Sequence, residues 1–173
     1  INVEGKLRPG VYAKDVILHI IRLLGTQGGT GFAYEYGGST FDAMTMEERM
    51  TVCNMSIEGG ARFGMIAPDK VTFEYIKNRK YSPKSEDFNK AIKTWSALKS
   101  DPDANFDREI VLRAEEIAPT MTWGTSPEQA APITAAIPTL ESLDKTKVEA
   151  AKAALEYMGL EAGMQLIGLP IDQ

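Results

Sequence analysis

The sequence predicts an α/β fold, in which helices pack on a layered sheet. Amphipathic helical patterns recur at residues 14–24, 85–98 and 145–158. Strand-like runs at residues 32–36 and 108–113 lie between these helices. Because 43% of the residues are hydrophobic and 25% are charged, the chain can bury a core of the size that is usual for a globular domain.

The charge and the composition argue against several classes of partner and of cellular location. A net charge of −5 and a sequence pI near 5.0 argue against nucleic acid or an anionic membrane as a partner. No apolar run approaches the length of a membrane span, and no secretory signal opens the sequence. The single cysteine cannot form an internal disulfide, which is typical of a reducing compartment. We therefore expect a cytoplasmic protein.

The first helix is predicted at residues 14–24, where an apolar stripe recurs with helical spacing until Gly25 ends it. The glycine-rich segment 25–38 follows. Its glycines do not have the spacing of either common phosphate-binding loop, and no lysine stands at the required position. We therefore interpret this segment as a tight return into a buried strand at residues 32–36.

Residues 51–69 carry the candidate chemistry. Thr45 and Glu48 form a capping-box pattern, so a helix is expected to begin there and to run through Glu58. Asn54 and Glu58 are four residues apart, which places both side chains on one face of such a helix. A carboxamide and a carboxylate aimed at one point can orient a water molecule or a polar ligand.

The second half of the chain is predicted to alternate helices with polar loops. Asp69 and Ser85 are expected to cap two helices, and Trp95 is expected to anchor the second helix in the core. The acidic segment 101–107 lacks the glycine and the terminal glutamate of a calcium loop, so a solvated turn is expected. Residues 118–137 are predicted to form a long loop that is functional or contacts another domain.

Both ends of the chain resemble cuts through a longer polypeptide. Residues 1–4, Ile-Asn-Val-Glu, read as the tail of a strand without a starting methionine, and another strand is expected to begin at residues 168–173. We therefore expect an internal segment of a larger protein. Such a segment is expected to expose apolar surface and to self-associate.

Three segments carry a resemblance to a known family: GGTGFAYEYGG at residues 28–38, MTVCNMSIEGGARFGMIAPD at residues 50–69 and FDREIVLRAEEIAPTMTWGTSPEQ at residues 106–129. They resemble the large subunits of 3-isopropylmalate dehydratase (isopropylmalate isomerase), within the aconitase superfamily, and the resemblance extends along essentially all of the chain. It implies a three-layer aconitase-type α/β domain, the second domain of a large subunit, at residues 1–117. It also implies that residues 118–173 are a linker loop, a helix and a first strand that lead into the cluster-binding domain.

The same resemblance implies a hydro-lyase of leucine biosynthesis, which isomerises 2-isopropylmalate and 3-isopropylmalate by dehydration and rehydration. In such enzymes three cysteines hold a [4Fe-4S] cluster that keeps one iron open. Glu58 is implied to hydrogen-bond water or hydroxyl on that iron, and Asn54 is implied to pack beside the cluster. Cys53 is not expected to be a ligand, and the ligand cysteines are expected beyond the end of this chain.

The partners implied by the resemblance are the small subunit of the dehydratase and the rest of the large subunit. No cofactor is expected on this segment alone, because one cysteine cannot hold the cluster. The segment alone is therefore predicted to be inactive. Two alternatives stay open: a segment of a homoaconitate hydratase large subunit, and a non-catalytic binding or structural domain.

Overall fold

The computed structural model describes residues 1–169. The helices within these residues are α1 (Ala13–Leu24), α2 (Ser39–Asp42), α3 (Met46–Met55), α4 (Lys70–Ile76), α5 (Ser85–Ser96) and α6 (Val148–Met158). The strands within them are β1 (Asn2–Glu4), β2 (Tyr34–Tyr36), β3 (Gly64–Ile66), β4 (Val111–Arg113), β5 (Thr120–Thr122) and β6 (Ala130–Pro132). None of the helices in this part of the chain has the length and apolar character that crossing a membrane requires.

Four of the strands run in one direction. β1 pairs with β4, β2 pairs with β3, and both pairs are parallel. A parallel bridge between Asn2 and Gly37 joins the two pairs, so the strand order is β4-β1-β2-β3. α1 connects β1 to β2 and α3 lies between β2 and β3, as the long connections of parallel strands require. Mixed helices and small sheets confirm the predicted α/β class.

α1 is the most deeply buried helix. The Tyr12 amide donates a hydrogen bond to Asp15 Oδ2 at 2.8 Å, which satisfies one free amide at the start of the helix. Gly25 ends the helix with a φ of 81°, a conformation that favours glycine. The predicted apolar stripe is confirmed, and these members of it are buried: Val16, Ile17, Ile20 and Ile21.

The described residues 1–169 form two hydrophobic clusters. The first contains the apolar side chains of β1, α1, β2 and α3, and it extends to Ile117. The second joins the β5–β6 hairpin to α6 and includes Trp123, Ile137 and Leu155. α1 also packs on β5 and β6. It therefore contacts elements that belong to both hydrophobic clusters.

Residues 118–137 contain two strands, whereas the sequence predicts a long loop there. β5 and β6 pair as an antiparallel hairpin, with Met121 opposite Ala131. Strands of three residues are too short to show a clear alternation of apolar and polar side chains, which is why the sequence pattern did not reveal them. The strand expected at residues 168–173 lies mostly outside the described residues.

The α4 and α5 region differs from the prediction in two details. Asp69 caps α4 as predicted, by accepting a hydrogen bond from the Thr72 amide at 3.2 Å. Ser85 does not cap α5, since Ser85 is the first residue of that helix and has a φ of 48°. Trp95 is half-buried and stacks on Phe73, with ring centroids 6.1 Å apart. It is not a core residue, because this helix pair buries little apart from the Phe88 side chain.

Truncation of Ile21 tests the burial of α1. Ile21→Ala is expected to lower the free energy of unfolding by about 2–5 kcal/mol, because the fully buried side chain leaves a cavity. Leu23→Ala is the matched control on the same helix, because Leu23 is 56% exposed, and it is expected to cost less than about 1 kcal/mol. Urea unfolding followed by circular dichroism measures both values. Equal losses in the two variants would contradict the packing described here.

Candidate functional site

The helix that carries Cys53 and Asn54 begins as predicted. The Thr45 amide donates to Glu48 Oε2 at 2.8 Å, and the Glu48 amide donates to Thr45 Oγ1 at 3.3 Å. This capping box satisfies two of the free amides at the start of α3. The start of the helix is therefore determined by residues within a single turn.

The prediction that this helix runs through Glu58 is wrong, because α3 ends at Met55. Ser56 is fully buried, and its hydroxyl lies 2.6 Å from the Tyr36 hydroxyl and 3.0 Å from the Val52 carbonyl oxygen. Its backbone carbonyl accepts hydrogen bonds from the amides of Gly59 and Ala61, both at 3.1 Å. The chain therefore turns at residues 56–61, and helical spacing does not place Asn54 and Glu58 on one face.

Gly60 shows why the turn needs glycine. Its φ is 84°, and a Cβ at this position would lie 2.7 Å from the carbonyl oxygen of Thr26. Any other residue would have a strained backbone at this φ, and its Cβ would clash with the carbonyl oxygen. The glycine therefore lets the chain turn after α3 while another backbone passes close to it.

Glu58 lines an open groove with a volume of about 800 Å³. α1 contributes Asp15 and Leu18 to this groove, and the segment 120–127 forms much of the opposite wall. Asn54 is exposed on the last turn of α3 and does not line the groove. The structure thus brings one of the two predicted site residues, Glu58, to the groove.

The opposite wall is held by residues that sequence analysis did not single out. Asp15 Oδ1 accepts a hydrogen bond from the Thr120 amide at 2.7 Å, which ties the hairpin to α1. Gln129 Oε1 accepts from the Thr125 amide at 2.8 Å and from the Ser126 amide at 3.1 Å. Asp15 and Thr120 are 105 residues apart, so the only sequence signal for this wall was the Trp-Gly-Thr-Ser-Pro motif itself.

A partly buried ion pair connects α3 to the segment that follows β3. The Arg49 guanidinium meets the Asp69 carboxylate in two parallel hydrogen bonds of 2.7 and 2.8 Å. Arg49 is 3% exposed, and its remaining donors reach the carbonyl oxygens of Met44 and Asp42. Hydrogen bonds from Arg49 hold the pKa of Asp69 below its ordinary value. The pair was not predicted, because its members lie 20 residues apart.

Cys53 has the environment of a packing residue. It is half-buried and packs against the first hydrophobic cluster. Burial raises the pKa of the Cys53 thiol, although nearby Arg49 lowers it in part. A neutral thiol is a poor nucleophile and a poor metal ligand.

The residues of this chain do not fit a [4Fe-4S] cluster with one open iron. Three thiolates are needed to hold such a cluster, and the chain contains one cysteine. Residues 1–169 also contain no group of three His, Cys, Asp or Glu side chains arranged to hold a metal ion. Glu58 and its groove can instead contribute a carboxylate that accepts hydrogen bonds from a bound hydroxyl or water.

Comparison with known proteins matches the whole chain to one family. Residues 1–173 match the family model described as the aconitase family (aconitate hydratase). The chain is 58% identical over 172 residues to the 3-isopropylmalate dehydratase large subunits of Thermus thermophilus and of Gloeothece citriformis. It is 55% identical over 173 residues to that of Sorangium cellulosum. Each similarity covers 99% of this chain and 36% or 37% of the relative, so the chain spans little more than a third of their length.

The ion pair of Arg49 and Asp69 predicts a pH dependence of stability. Because the pKa of Asp69 is lowered in the folded state, its contribution is fully present above the unfolded-state pKa of about 3.9 and is lost as the pH falls through the folded-state value. Asp69→Asn keeps a residue that can cap α4 but removes the charge. We expect it to cost about 1–2 kcal/mol at neutral pH, less than for a fully buried pair because 38% of the Asp69 side chain is exposed.

Urea unfolding from neutral to acidic pH measures this effect. The stabilities of the wild-type chain and of Asp69→Asn should converge in acid. Glu161→Gln, at an exposed position, is the control and should change the free energy of unfolding by less than about 0.5 kcal/mol. A constant difference between wild type and Asp69→Asn at every pH would show that the charge of Asp69 contributes nothing.

Proposed function

Because this chain belongs to the aconitase family, we propose that it forms part of the large subunit of a 3-isopropylmalate dehydratase. The proposed reaction is the interconversion of 2-isopropylmalate and 3-isopropylmalate in leucine biosynthesis, by removal and re-addition of water. The observation that carries the proposal is an identity of 54–58% to large subunits with this name across 99% of the chain. The names of these relatives favour isopropylmalate over homoaconitate as the substrate.

We further propose that residues 1–117 are the second domain of that subunit, a three-layer α/β domain, and that residues 118–173 lead into the next domain. Two features support this division. The first hydrophobic cluster is made of residues up to Ile117, whereas the second begins with residues after it. The parallel strands β1 to β4 all precede residue 118, and the antiparallel hairpin follows it.

Within the site, we assign Glu58 the role of a hydrogen-bond acceptor for the hydroxyl group or water that leaves and returns. Its carboxylate is exposed to the groove, and none of the side-chain hydrogen bonds within residues 1–169 uses it. A carboxylate in this state can accept a hydrogen bond from a hydroxyl group or hold a proton. Asn54 is assigned a supporting role as a neutral amide one turn before the groove.

Other parts of the assembly supply what this chain lacks. The cysteine ligands of the cluster, the groups that bind the substrate carboxylates and the catalytic base are assigned to the rest of the large subunit and to the small subunit. The proposed location is the cytoplasm, which is consistent with a single cysteine and no disulfide. In isolation the chain is proposed to be inactive.

Glu58→Gln tests the role of Glu58 in the assembled enzyme. The substitution keeps the size of the side chain but removes its charge and its capacity to hold a proton. We expect kcat to fall by about 10²-fold or more, in the range of a lost acid–base group, while the thermal unfolding temperature stays the same. Glu47→Gln, at an exposed position of α3, is the matched control and should retain full activity. Full activity of Glu58→Gln would remove its assigned role.

Iron and sulfide reconstitution tests whether the chain can hold the cluster. The 173-residue chain is expected to bind no stoichiometric cluster, because a chain with one cysteine cannot supply the three required thiolates. Visible absorbance and iron content after desalting measure the outcome, and the assembled enzyme treated in the same way is the positive control. A stable chromophore with four irons per chain would contradict the assignment of the ligands to other parts of the assembly.

A further inference from the structure

Residues 70–99, which we name the basic module, concentrate positive charge. They contain eight Lys or Arg residues and three Asp or Glu residues, a net charge of +5 in a chain whose net charge is −5. The other residues therefore carry a net charge of −10. All eight basic side chains of the module are exposed.

Ion pairs within residues 1–169 neutralise little of the positive charge of the basic module. Among residues 1–169, Lys90 is the one basic residue of the module that lies within ion-pair distance of a carboxylate, that of Asp87 at 3.4 Å. Both side chains of this pair are exposed, so it contributes little to stability. The other cations of the module are available to a partner.

The basic module also exposes apolar surface. Tyr81 is 88% exposed, with the Lys80 ammonium 5.1 Å from the centre of its ring, and Leu98 is 67% exposed. Phe88 is the only residue of α4 and α5 that is buried. The other apolar side chains of α4 and α5 are only partly buried, so this helix pair leaves part of its apolar surface uncovered. Aromatic rings and cations side by side are typical of interface surfaces.

A surface of opposite charge follows directly in the sequence. Residues 101–109, which we name the acidic segment, carry four carboxylates and one arginine, a net charge of −3. No ion pair within residues 1–169 uses any of these carboxylates. Phe106, which is 48% exposed, adds an apolar group. The exposed carboxylates are those of Asp101, Asp103, Asp107 and Glu109.

We propose that two copies of this chain associate reciprocally, with the basic module of each copy on the acidic segment of the other. The second copy is the partner that the charges favour, because this chain carries both complementary surfaces and residues 1–169 contain no ion pair between them. A two-fold arrangement forms the same contact twice. Opposite charges orient the two copies, and burial of Tyr81, Leu98 and Phe106 supplies the hydrophobic part of the binding free energy. This association is independent of the proposed dehydratase activity.

Sedimentation velocity of the 173-residue chain tests the association. At low salt the chain should form dimers as its concentration rises. At high salt, where the screening length falls to about 3 Å, the dissociation constant should increase by about tenfold or more. A chain that stays monomeric at low salt, or a dimer that is insensitive to salt, overturns the proposal.

Charge reversal identifies the two surfaces. The double variant Lys80→Glu/Lys93→Glu reverses charges in the basic module, and Asp101→Lys/Asp103→Lys reverses charges in the acidic segment. Each double variant alone should weaken dimerisation, because the first lowers the net charge of the basic module from +5 to +1 and the second changes that of the acidic segment from −3 to +1. An equimolar mixture of the two should recover dimerisation, because one contact of the mixed dimer joins the unchanged module to the unchanged acidic segment and the other places the introduced glutamates against the introduced lysines. Failure of the mixture to associate overturns the reciprocal arrangement.

Two controls separate this surface from general charge effects. Lys145→Glu/Lys152→Glu makes the same change in net charge at exposed positions outside both surfaces, and it should dimerise like the wild-type chain. Loss of dimerisation in this variant overturns the assignment to the basic module. A chain that stays monomeric but binds poly-glutamate through Lys80 and Lys93 would assign the module to another acidic partner, which also overturns the pairing of copies.

Discussion

The burial of α1 is the constraint on which the rest of the structure depends. Its main apolar stripe, including Ile17 and Ile21, is fully buried, and Leu18 on another side of the helix is also buried. A helix that is apolar on more than one side needs neighbours on each of them. The sheet and α3 cover one side, and the β5–β6 hairpin packs on another. The hairpin is therefore placed by a hydrophobic requirement of a helix about a hundred residues earlier in the chain.

The groove at Glu58 is a consequence of that arrangement. One wall comes from the turn after α3, and the other comes from the hairpin that α1 holds. Asp15 links the start of α1 to the hairpin. One of its carboxylate oxygens accepts a hydrogen bond from the Tyr12 amide, and the other accepts one from the Thr120 amide. A single side chain thus both starts the central helix and fixes the far wall of the groove. The carboxylate of Glu58, by contrast, lines the groove and accepts no side-chain hydrogen bond within residues 1–169.

The charges are distributed unevenly along the chain, which the net charge does not show. An overall charge of −5 correctly describes an acidic chain, but it is the sum of a positive module and a much larger negative remainder. The basic residues of the module are spaced along two helices and the turn between them, so no dense run of lysines marks them in the sequence. Folding brings them to one exposed helix pair with aromatic neighbours. The net charge of the whole chain therefore does not exclude an anionic partner for the basic module.

Local interactions were predictable from the sequence, because they act within one helical turn. The capping box of Thr45 and Glu48, the cap at Asp69 and the glycine that ends α6 at Gly159 all belong to this class, and each is present in the structure. The family resemblance was also visible in the sequence, since whole motifs carry it.

The end of α3 and the walls of the groove were not predictable in this way. The hydroxyl contact of Ser56 with Tyr36, the ion pair of Arg49 with Asp69 and the link from Asp15 to Thr120 join residues 20 to 105 positions apart. No periodicity or capping rule relates positions at that separation. Only the tertiary packing of helices and strands brings these partners within hydrogen-bond distance, and the turn after α3 decides that Glu58 and not Asn54 reaches the groove.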